Sequence, residues 1–200
     1  MLDLQSPVAA LIFAVTIALS LIGLFRDQSI IERFAMRPYY VARGKQRETV
    51  VTSGFVHGDL GHLFFNMFTF FFFAFDLEAF LGSVRFSILY AVGLILSSVC
   101  SIAKHRNNSQ YATIGASGAI SAVLFAYIVY DPTTSLIIFP IPVPIPAFLF
   151  AVGYVAYSYW AANNEHGRIN HDAHLCGAFS GLGFVLVTDP QAYLNLLRVF

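Results

Sequence analysis

Four polar side chains stand at the beginnings of three apolar segments of the chain. Ser117 lies in a Gly-Ala-Ser-Gly sequence at the start of one such segment, and His174 opens a later one. His62 and Asn66 open an earlier segment. A serine hydroxyl becomes a good nucleophile when a neighbouring base takes its proton, and histidine is the side chain that most often does so. Because polar side chains at membrane depth are costly and usually mark a functional site, the pattern indicates a hydrolase that works inside a lipid bilayer.

The composition indicates an integral membrane protein. Of the 200 residues, 58% are hydrophobic and 11% are charged, whereas a soluble domain is typically about 25% charged. So few charges cannot cover a water-facing surface. The formal net charge is zero, which gives no reason to expect nucleic-acid binding. We predict one membrane domain over residues 1–200, whose first apolar stretch stays as a helix because it lacks the basic start of a cleavable signal peptide.

Six apolar segments predict an all-α bundle of six transmembrane helices. The predicted spans cover about residues 8–25, 62–81, 86–103, 112–130, 147–162 and 173–188. Between the fourth and fifth spans, residues 136–146 carry alternating prolines, through which a helix cannot run. We expect an extended loop against the membrane there. The long polar loop after the first span carries basic and aromatic side chains that suit the membrane interface.

The order of the spans predicts that the four polar side chains lie together. Consecutive spans alternate in direction, so the second, fourth and sixth begin on the same membrane face. His62, Asn66, Ser117 and His174 then share one leaflet. The sixth span also contains the GxxxG spacing at 177–181, which lets two helix backbones approach closely. Ser117 and His174 are therefore expected within hydrogen-bond reach of each other.

This arrangement would support acyl transfer. His174 would take the proton of Ser117 and return it to the leaving amine. His62 and Asn66 are four residues apart, so they share one helix face. Together with the backbone N–H of Ser117, they could donate hydrogen bonds to the oxyanion of a tetrahedral intermediate.

Each of these features alone has a simpler interpretation. A Gly-x-Ser-Gly sequence is often a packing motif, and a single histidine or asparagine in a membrane helix is usually structural. Their conjunction at one depth favours catalysis. The two cysteines, Cys100 and Cys176, have no zinc-site spacing, and we expect them to be buried small side chains rather than a disulfide.

The motifs resemble those of the rhomboid family of intramembrane serine proteases. The matching segments are 62–66, 115–118, 173–177 with Gly181, 52–57, and Glu78 followed by Gly82. The resemblance covers about residues 8–190 and implies a six-helix bundle of the bacterial type. It also implies that Ser117 is the nucleophile and His174 the base, in a dyad without an acid. His62, Asn66 and the Ser117 amide would form the oxyanion hole.

The same resemblance implies the substrates and the surroundings of the protein. The family cleaves single-pass membrane proteins near the membrane surface without a metal or cofactor, so the expected partners are such proteins and membrane lipid. The active site would face outward, in a cell inner or plasma membrane. A count of basic residues disagrees, because nine lie in loops on the active-site side and two on the other, which favours a cytoplasmic active site. We adopt the family orientation.

The chain departs from the family pattern at two places. Many relatives have a tyrosine one turn after the serine that stacks on the catalytic histidine, but Ser121 stands there, so another group must hold the ring. Residues 48–49 are Glu-Thr where the family has Trp-Arg. Asp172 lies too close in sequence to the catalytic histidine to complete a triad, and we expect it to cap a helix. His57 and His171 are expected to have roles in loop structure or water contact.

Three other functions fit the sequence less well than a protease. The first is a catalytically inactive rhomboid-like protein that binds membrane clients, against which the presence of both Ser117 and His174 argues. The second is a small transporter, which would have its polar groups near helix centres. A membrane metalloprotease is weaker, because the chain has no HExxH motif. Within the protease interpretation, the fifth helix and the proline-rich loop before it are candidates for a mobile substrate gate.

Overall fold

The computed structural model describes residues 5–137, 143–164 and 169–197, and within them the chain is mostly helical. The helices are α1 (Pro7–Phe25), α2 (Ser29–Phe34), α3 (Pro38–Val41), α4 (Thr49–Thr52), α5 (Leu60–Leu81), α6 (Ser83–His105), α7 (Ser117–Tyr130), α8 (Ala147–Asn164), α9 (His171–Thr188) and α10 (Ala192–Leu197). A 3₁₀ turn follows α4 at Ser53–Phe55. Two short strands, β1 (Ser135–Ile137) and β2 (Pro144–Pro146), pair antiparallel with Leu136 opposite Ile145.

The predicted all-helical membrane bundle is confirmed. Among the described residues, α1, α5 and α6 are long and apolar enough to cross a membrane, and α7 is a shorter apolar helix. Five of the six predicted segments agree with α1, α5, α6, α8 and α9 to within three residues at either end. The number of six spans remains a prediction. The prolines at 144 and 146 lie in β2, as expected of an extended segment, whereas those at 140 and 142 lie outside the described residues.

The fourth predicted span begins later than expected. Residues 112–116 are not helical, and Thr113 forms a β-bridge with Met36 through backbone hydrogen bonds of 3.0 and 2.9 Å. Gly115 has a φ of +115°, a conformation that only glycine adopts easily. Among these five residues, Ala116 is fully buried and Ala112 is exposed. Ser117 is consequently the first residue of α7, where backbone amides have no partner within the helix.

Helix α7 forms the centre of the bundle. Eleven of its fourteen residues are buried, and it packs against α5, α6 and α9. The α9 backbone touches it directly, because a Cβ at Gly177 would overlap the carbonyl oxygen of Gly118 and one at Gly181 would overlap that of Ala122. The GxxxG spacing of α9 is thus the contact that brings the two helices together.

The loop after α1 is folded rather than irregular, and His57 anchors it. This side chain is fully buried. Its Nδ1 lies 3.0 Å from the Ser20 hydroxyl on α1, and its Nε2 accepts a hydrogen bond from the Ala116 amide at 3.4 Å. Burial lowers the pKa of His57 to about 3, so the ring is neutral at physiological pH. The structural role expected for His57 is confirmed.

A buried carboxylate organises the opposite end of the bundle. Glu78 has no exposed surface. It accepts hydrogen bonds from the amides of Val8 at 3.1 Å and Ala9 at 2.6 Å, and from the Ser83 hydroxyl at 2.6 Å. A negative charge is favourable at a helix N-terminus, where amides lack partners. Glu78 of α5 therefore caps α1 and also contacts the first residue of α6.

The expectation that the two cysteines are independent side chains was wrong. Cys100 on α6 and Cys176 on α9 form a disulfide, with their Cα atoms 6.4 Å apart. Helices α6 and α9 pack closely against each other, which brings the two Cα atoms within the separation that a disulfide needs. Neither cysteine has a partner at close sequence spacing, so only the packing of the two helices reveals the bond.

Candidate active site

Ser117 and His174 are in direct contact. The Nε2 atom of His174 lies 2.7 Å from the Oγ atom of Ser117. Ser117 is placed by the start of α7, and His174 is in the first turn of α9. The close approach of the two helices at Gly118 and Gly177 leaves no bulk between them. The structure thus brings together the two side chains that the order of spans placed at one depth, whereas their catalytic roles stay a prediction.

The other two predicted site residues border the same cavity. A cavity of about 1300 Å³ is lined by Ser117, His174, His62 and Asn66, and it extends toward the loops before α7 and α9. Three different helices therefore present these four side chains to one cavity. A cavity with a few convergent polar groups is the usual form of a binding or catalytic site.

His62 and Asn66 are held by local hydrogen bonds at the start of α5. The Asp59 carboxylate accepts the His62 amide at 2.7 Å and so caps the helix. The His62 ring lies against Gly115, where a Cβ would come within 2.7 Å of it. The Asn66 Nδ2 donates to the His62 carbonyl at 2.9 Å. An amide nitrogen carries two N–H donors, and this bond uses one of them.

An aromatic ring lies beside His174 on α8, the helix that the sequence suggested only as a substrate gate. The Tyr154 ring on α8 is stacked on the imidazole, with centroids 6.3 Å apart and planes 21° from parallel. Its hydroxyl lies 2.8 Å from the Ser121 Oγ. Ser121 therefore binds the stacking ring instead of supplying one. The signal in the sequence was the aromatic content of α8, which does not tell which ring points inward.

The expectation that Asp172 caps the last long helix was also wrong. The cap of α9 is Asn170, whose Oδ1 accepts the Ala173 amide at 3.1 Å. Asp172 lies inside the first turn and pairs with Lys104 of α6 at 2.7 Å. The same Lys104 ammonium donates to the carbonyl of Ala162 at 2.8 Å, so it joins the ends of α6, α8 and α9.

Asn170 also orders the polar wall of the cavity. Its Nδ2 donates to the Ser101 hydroxyl at 2.7 Å and to the Thr113 hydroxyl at 3.3 Å. These contacts fix the loop before α9 against α6 and against the segment before α7. Its neighbour His171 is buried, with its ring 6.0 Å from that of His174 and 5.5 Å from that of Tyr157. The sequence did not single out Asn170, and it predicted for His171 only a role in loop structure or water contact.

The arrangement has the parts that acyl transfer needs. It contains a hydroxyl in contact with an imidazole, a helix N-terminus at the hydroxyl-bearing residue, and polar side chains across the cavity. Within residues 5–137, 143–164 and 169–197, no three His, Cys, Asp or Glu side chains converge in a way that could hold a metal ion. The expectation that no cofactor is needed stays a prediction.

The fold and the site define an all-helical membrane protein with a serine and a histidine paired at the N-terminal ends of two helices. Residues 44–190 match the family described as the Rhomboid domain, which includes Ser117, His174, His62 and Asn66. The chain belongs to the rhomboid family.

Several known proteins are similar to it. The chain is 25% identical over 166 residues to RHOMBOID-like protein 12, mitochondrial, of Arabidopsis thaliana, which covers 74% of this chain and 49% of that protein. It is 28% identical over 138 residues to Rhomboid protein 1, mitochondrial, of Saccharomyces cerevisiae, with coverage of 67% and 40%. It is 30% identical over 153 residues to Presenilin-associated rhomboid-like protein, mitochondrial, of Homo sapiens, with coverage of 73% and 39%. The chain thus spans less than half the length of each of these relatives.

Proposed function

We propose that the protein is an intramembrane serine endopeptidase that cleaves single-pass transmembrane proteins near the membrane surface. The observation that carries the proposal is the 2.7 Å contact between His174 Nε2 and Ser117 Oγ in a chain of the rhomboid family. A hydroxyl alone is a weak nucleophile, and this contact supplies the base that it needs.

The chemistry follows from that contact in two halves. Ser117 Oγ attacks the carbonyl carbon of the scissile bond while His174 takes its proton. The tetrahedral intermediate collapses, the C–N bond breaks, and His174 returns the proton to the leaving amine. A water molecule from the cavity then gives its proton to His174 and attacks the acyl ester. The bond between the acyl carbon and the Ser117 oxygen then breaks, and that oxygen takes the proton back from His174.

The developing oxyanion would be stabilised on the α5 side of the cavity. The Ser117 amide is in the first turn of α7, where N–H groups point out of the helix. Asn66 has an N–H beyond the one bound to the His62 carbonyl, and the His62 ring lies beside Gly115. These three donors approach from α7 and α5, and His174 approaches from α9. The carbonyl would therefore bind between the helices.

Cleavage of a model single-pass protein by the purified chain in liposomes tests the proposal. The parent is expected to cleave, whereas Ser117→Ala and His174→Ala are expected to lose at least about 10³-fold in kcat. A fluorophosphonate should label the parent at Ser117 and leave Ser117→Ala unlabelled. If the parent neither cleaves several substrates nor reacts with the probe, the client-binding interpretation replaces the protease.

The membrane and orientation are part of the same proposal. The named relatives are mitochondrial, so they give no support to the expectation of a cell inner or plasma membrane. We infer that the active-site end faces an oxidising compartment, because the disulfide between Cys100 and Cys176 lies at that end and disulfides persist where the surroundings are oxidising. Both cysteines are in the disulfide, so Lys45→Cys would introduce the one free thiol. If an impermeant maleimide added on the outer side of the membrane fails to label Lys45→Cys, the opposite orientation is correct.

A further inference from the structure

Tyr154 contacts side chains of α7 and α8 beside the His174 ring. Its hydroxyl is 2.8 Å from Ser121 Oγ, and its ring centroid is 5.4 Å from that of Phe125 on α7 and 5.6 Å from that of Phe150 on α8. Its ring plane is 21° from that of His174. A ring fixed on several sides provides a stable surface for the imidazole, and aromatic pairs at such separations attract each other.

The His174 ring needs such a surface. Its one hydrogen bond among the described residues is from Nε2 to Ser117. In a catalytic triad a carboxylate bound to the other ring nitrogen sets the orientation of the imidazole. Asp172, the nearest carboxylate in sequence, is paired with Lys104 instead. Packing against the ring face is therefore what limits rotation of the imidazole.

We propose that Tyr154 is a positioning residue for His174, and this inference rests on the proposed protease function. Ser121 is one turn after Ser117, and its short side chain serves as the hydrogen-bond partner of Tyr154. Tyr154 of α8 thus provides the stacking surface, and Ser121 of α7 holds Tyr154 through the hydrogen bond. Small displacements of a catalytic group can cost about 10²-fold in rate, so the effect of losing the ring is measurable.

The location of Tyr154 couples the site to α8. Only Ala147, Ser158 and Ala161 of this helix are buried, so α8 is held more loosely than α7. It is also the predicted gate helix. A movement of α8 away from the bundle would take the ring off His174, so the histidine is ordered when α8 is closed against α7.

Four variants test the inference. Tyr154→Ala removes the ring, Tyr154→Phe keeps the ring but loses the hydroxyl, and Tyr159→Ala removes a ring that is 68% exposed on the same helix. The fourth combines Tyr154→Ala with Ser121→Tyr. Because Ser121 and Tyr154 touch, the new ring would grow into the vacated space and stack from α7 instead of α8.

The expected results separate positioning from folding. Tyr154→Ala should lower kcat by about 10-fold or more with little change in KM, and should slow fluorophosphonate labelling of Ser117 by a similar factor. Tyr154→Phe keeps the ring but loses its bond to Ser121, so its kcat should lie between those of the parent and Tyr154→Ala, whereas Tyr159→Ala should remain within about 3-fold of the parent. The double variant should recover most of the lost kcat, which a merely structural role would not predict. Parent-like kcat in Tyr154→Ala, or failure of the double variant to recover, would overturn the inference.

A measurement that does not depend on cleavage distinguishes failure of the positioning role of Tyr154 from failure of the protease function. In protein labelled with ¹³C-histidine, the His174 ring signals should be sharp in the parent and in Tyr159→Ala, and should shift and broaden in Tyr154→Ala. If the parent fails to cleave or react, the protease function is lost. If the His174 signals are unchanged in Tyr154→Ala, the positioning role is lost whatever the activity.

Discussion

The carbonyl oxygen of Gly118 fills the place where Gly177 would carry a Cβ, so α7 and α9 touch backbone to backbone beside Ser117 and His174. Gly177→Ala must push the helices apart by about 1 Å or more to restore an ordinary contact distance. We expect kcat to fall by about 10²-fold, since the serine and histidine separate. Cleavage assays with a thermal melt of each variant measure both effects.

Gly183→Ala is the matched control for that change. Gly183 is on the same helix, and a Cβ there would meet nothing within 4 Å. Alanine is a better helix former than glycine by about 1 kcal/mol, so this variant should be neutral or slightly more stable. Equal losses of activity in the two variants would show that helix packing beside the site is not the cause.

The Asn66 side chain gives a test of the oxyanion hole. Asn66→Ala should lower kcat by about 10²–10³-fold and leave KM nearly unchanged, because the donor acts on a charge that develops in the transition state. Asn164→Ala is a suitable control, since Asn164 Nδ2 also donates to a carbonyl four residues earlier, at 2.7 Å, but on the exposed end of α8. Steady-state kinetics of both variants decide the point. A parent-like kcat in Asn66→Ala would exclude this donor.

The disulfide between Cys100 and Cys176 should contribute to stability. It closes a loop of 76 residues, and bonds of this kind typically add about 2–4 kcal/mol to the free energy of unfolding. Dithiothreitol should therefore lower the melting temperature of the parent. The double variant Cys100→Ser with Cys176→Ser should melt lower and should not respond to the reagent. A parent that melts at the same temperature with and without reductant would contradict the prediction.

Loss of the Glu78 carboxylate should destabilise the bundle strongly. Glu78→Ala leaves the amides of Val8 and Ala9 and the Ser83 hydroxyl without their acceptor in a buried place. Each unsatisfied group costs about 1–3 kcal/mol, so the melting temperature should fall by far more than in Asp76→Ala, which changes an exposed carboxylate on the same helix. Similar melting temperatures in Glu78→Ala and Asp76→Ala would mean that water accepts these hydrogen bonds in place of Glu78.

The candidate site could be predicted from sequence because its geometry depends on the order of the spans. Alternation of direction alone places His62, Asn66, Ser117 and His174 on one face, and the GxxxG spacing predicts close packing. Neither argument requires knowing which helices are neighbours. The catalytic roles still depend on the experiments above.

The features that were missed all depend on which helices are neighbours. The disulfide of Cys100 with Cys176 and the stacking of Tyr154 on His174 join residues on different helices, and no local pattern marks them. The start of α7 was misplaced because hydropathy does not mark the residue at which a helix begins, and the mostly apolar residues 112–116 are not helical. Asp and Asn are both favourable helix-capping residues, so the sequence alone does not decide between Asp172 and Asn170. In the structure Asp172 pairs with Lys104, and Asn170 caps α9.

The cap on α1 has a consequence for which parts of the chain hold the bundle together. The amides of Val8 and Ala9 find their acceptor 70 and 69 residues later in the chain. Ser83, the first residue of α6, binds the same carboxylate. Every residue of this contact precedes Ser117 in the chain. The contact that joins α1, α5 and α6 thus requires no residue from the part of the chain that carries the nucleophile.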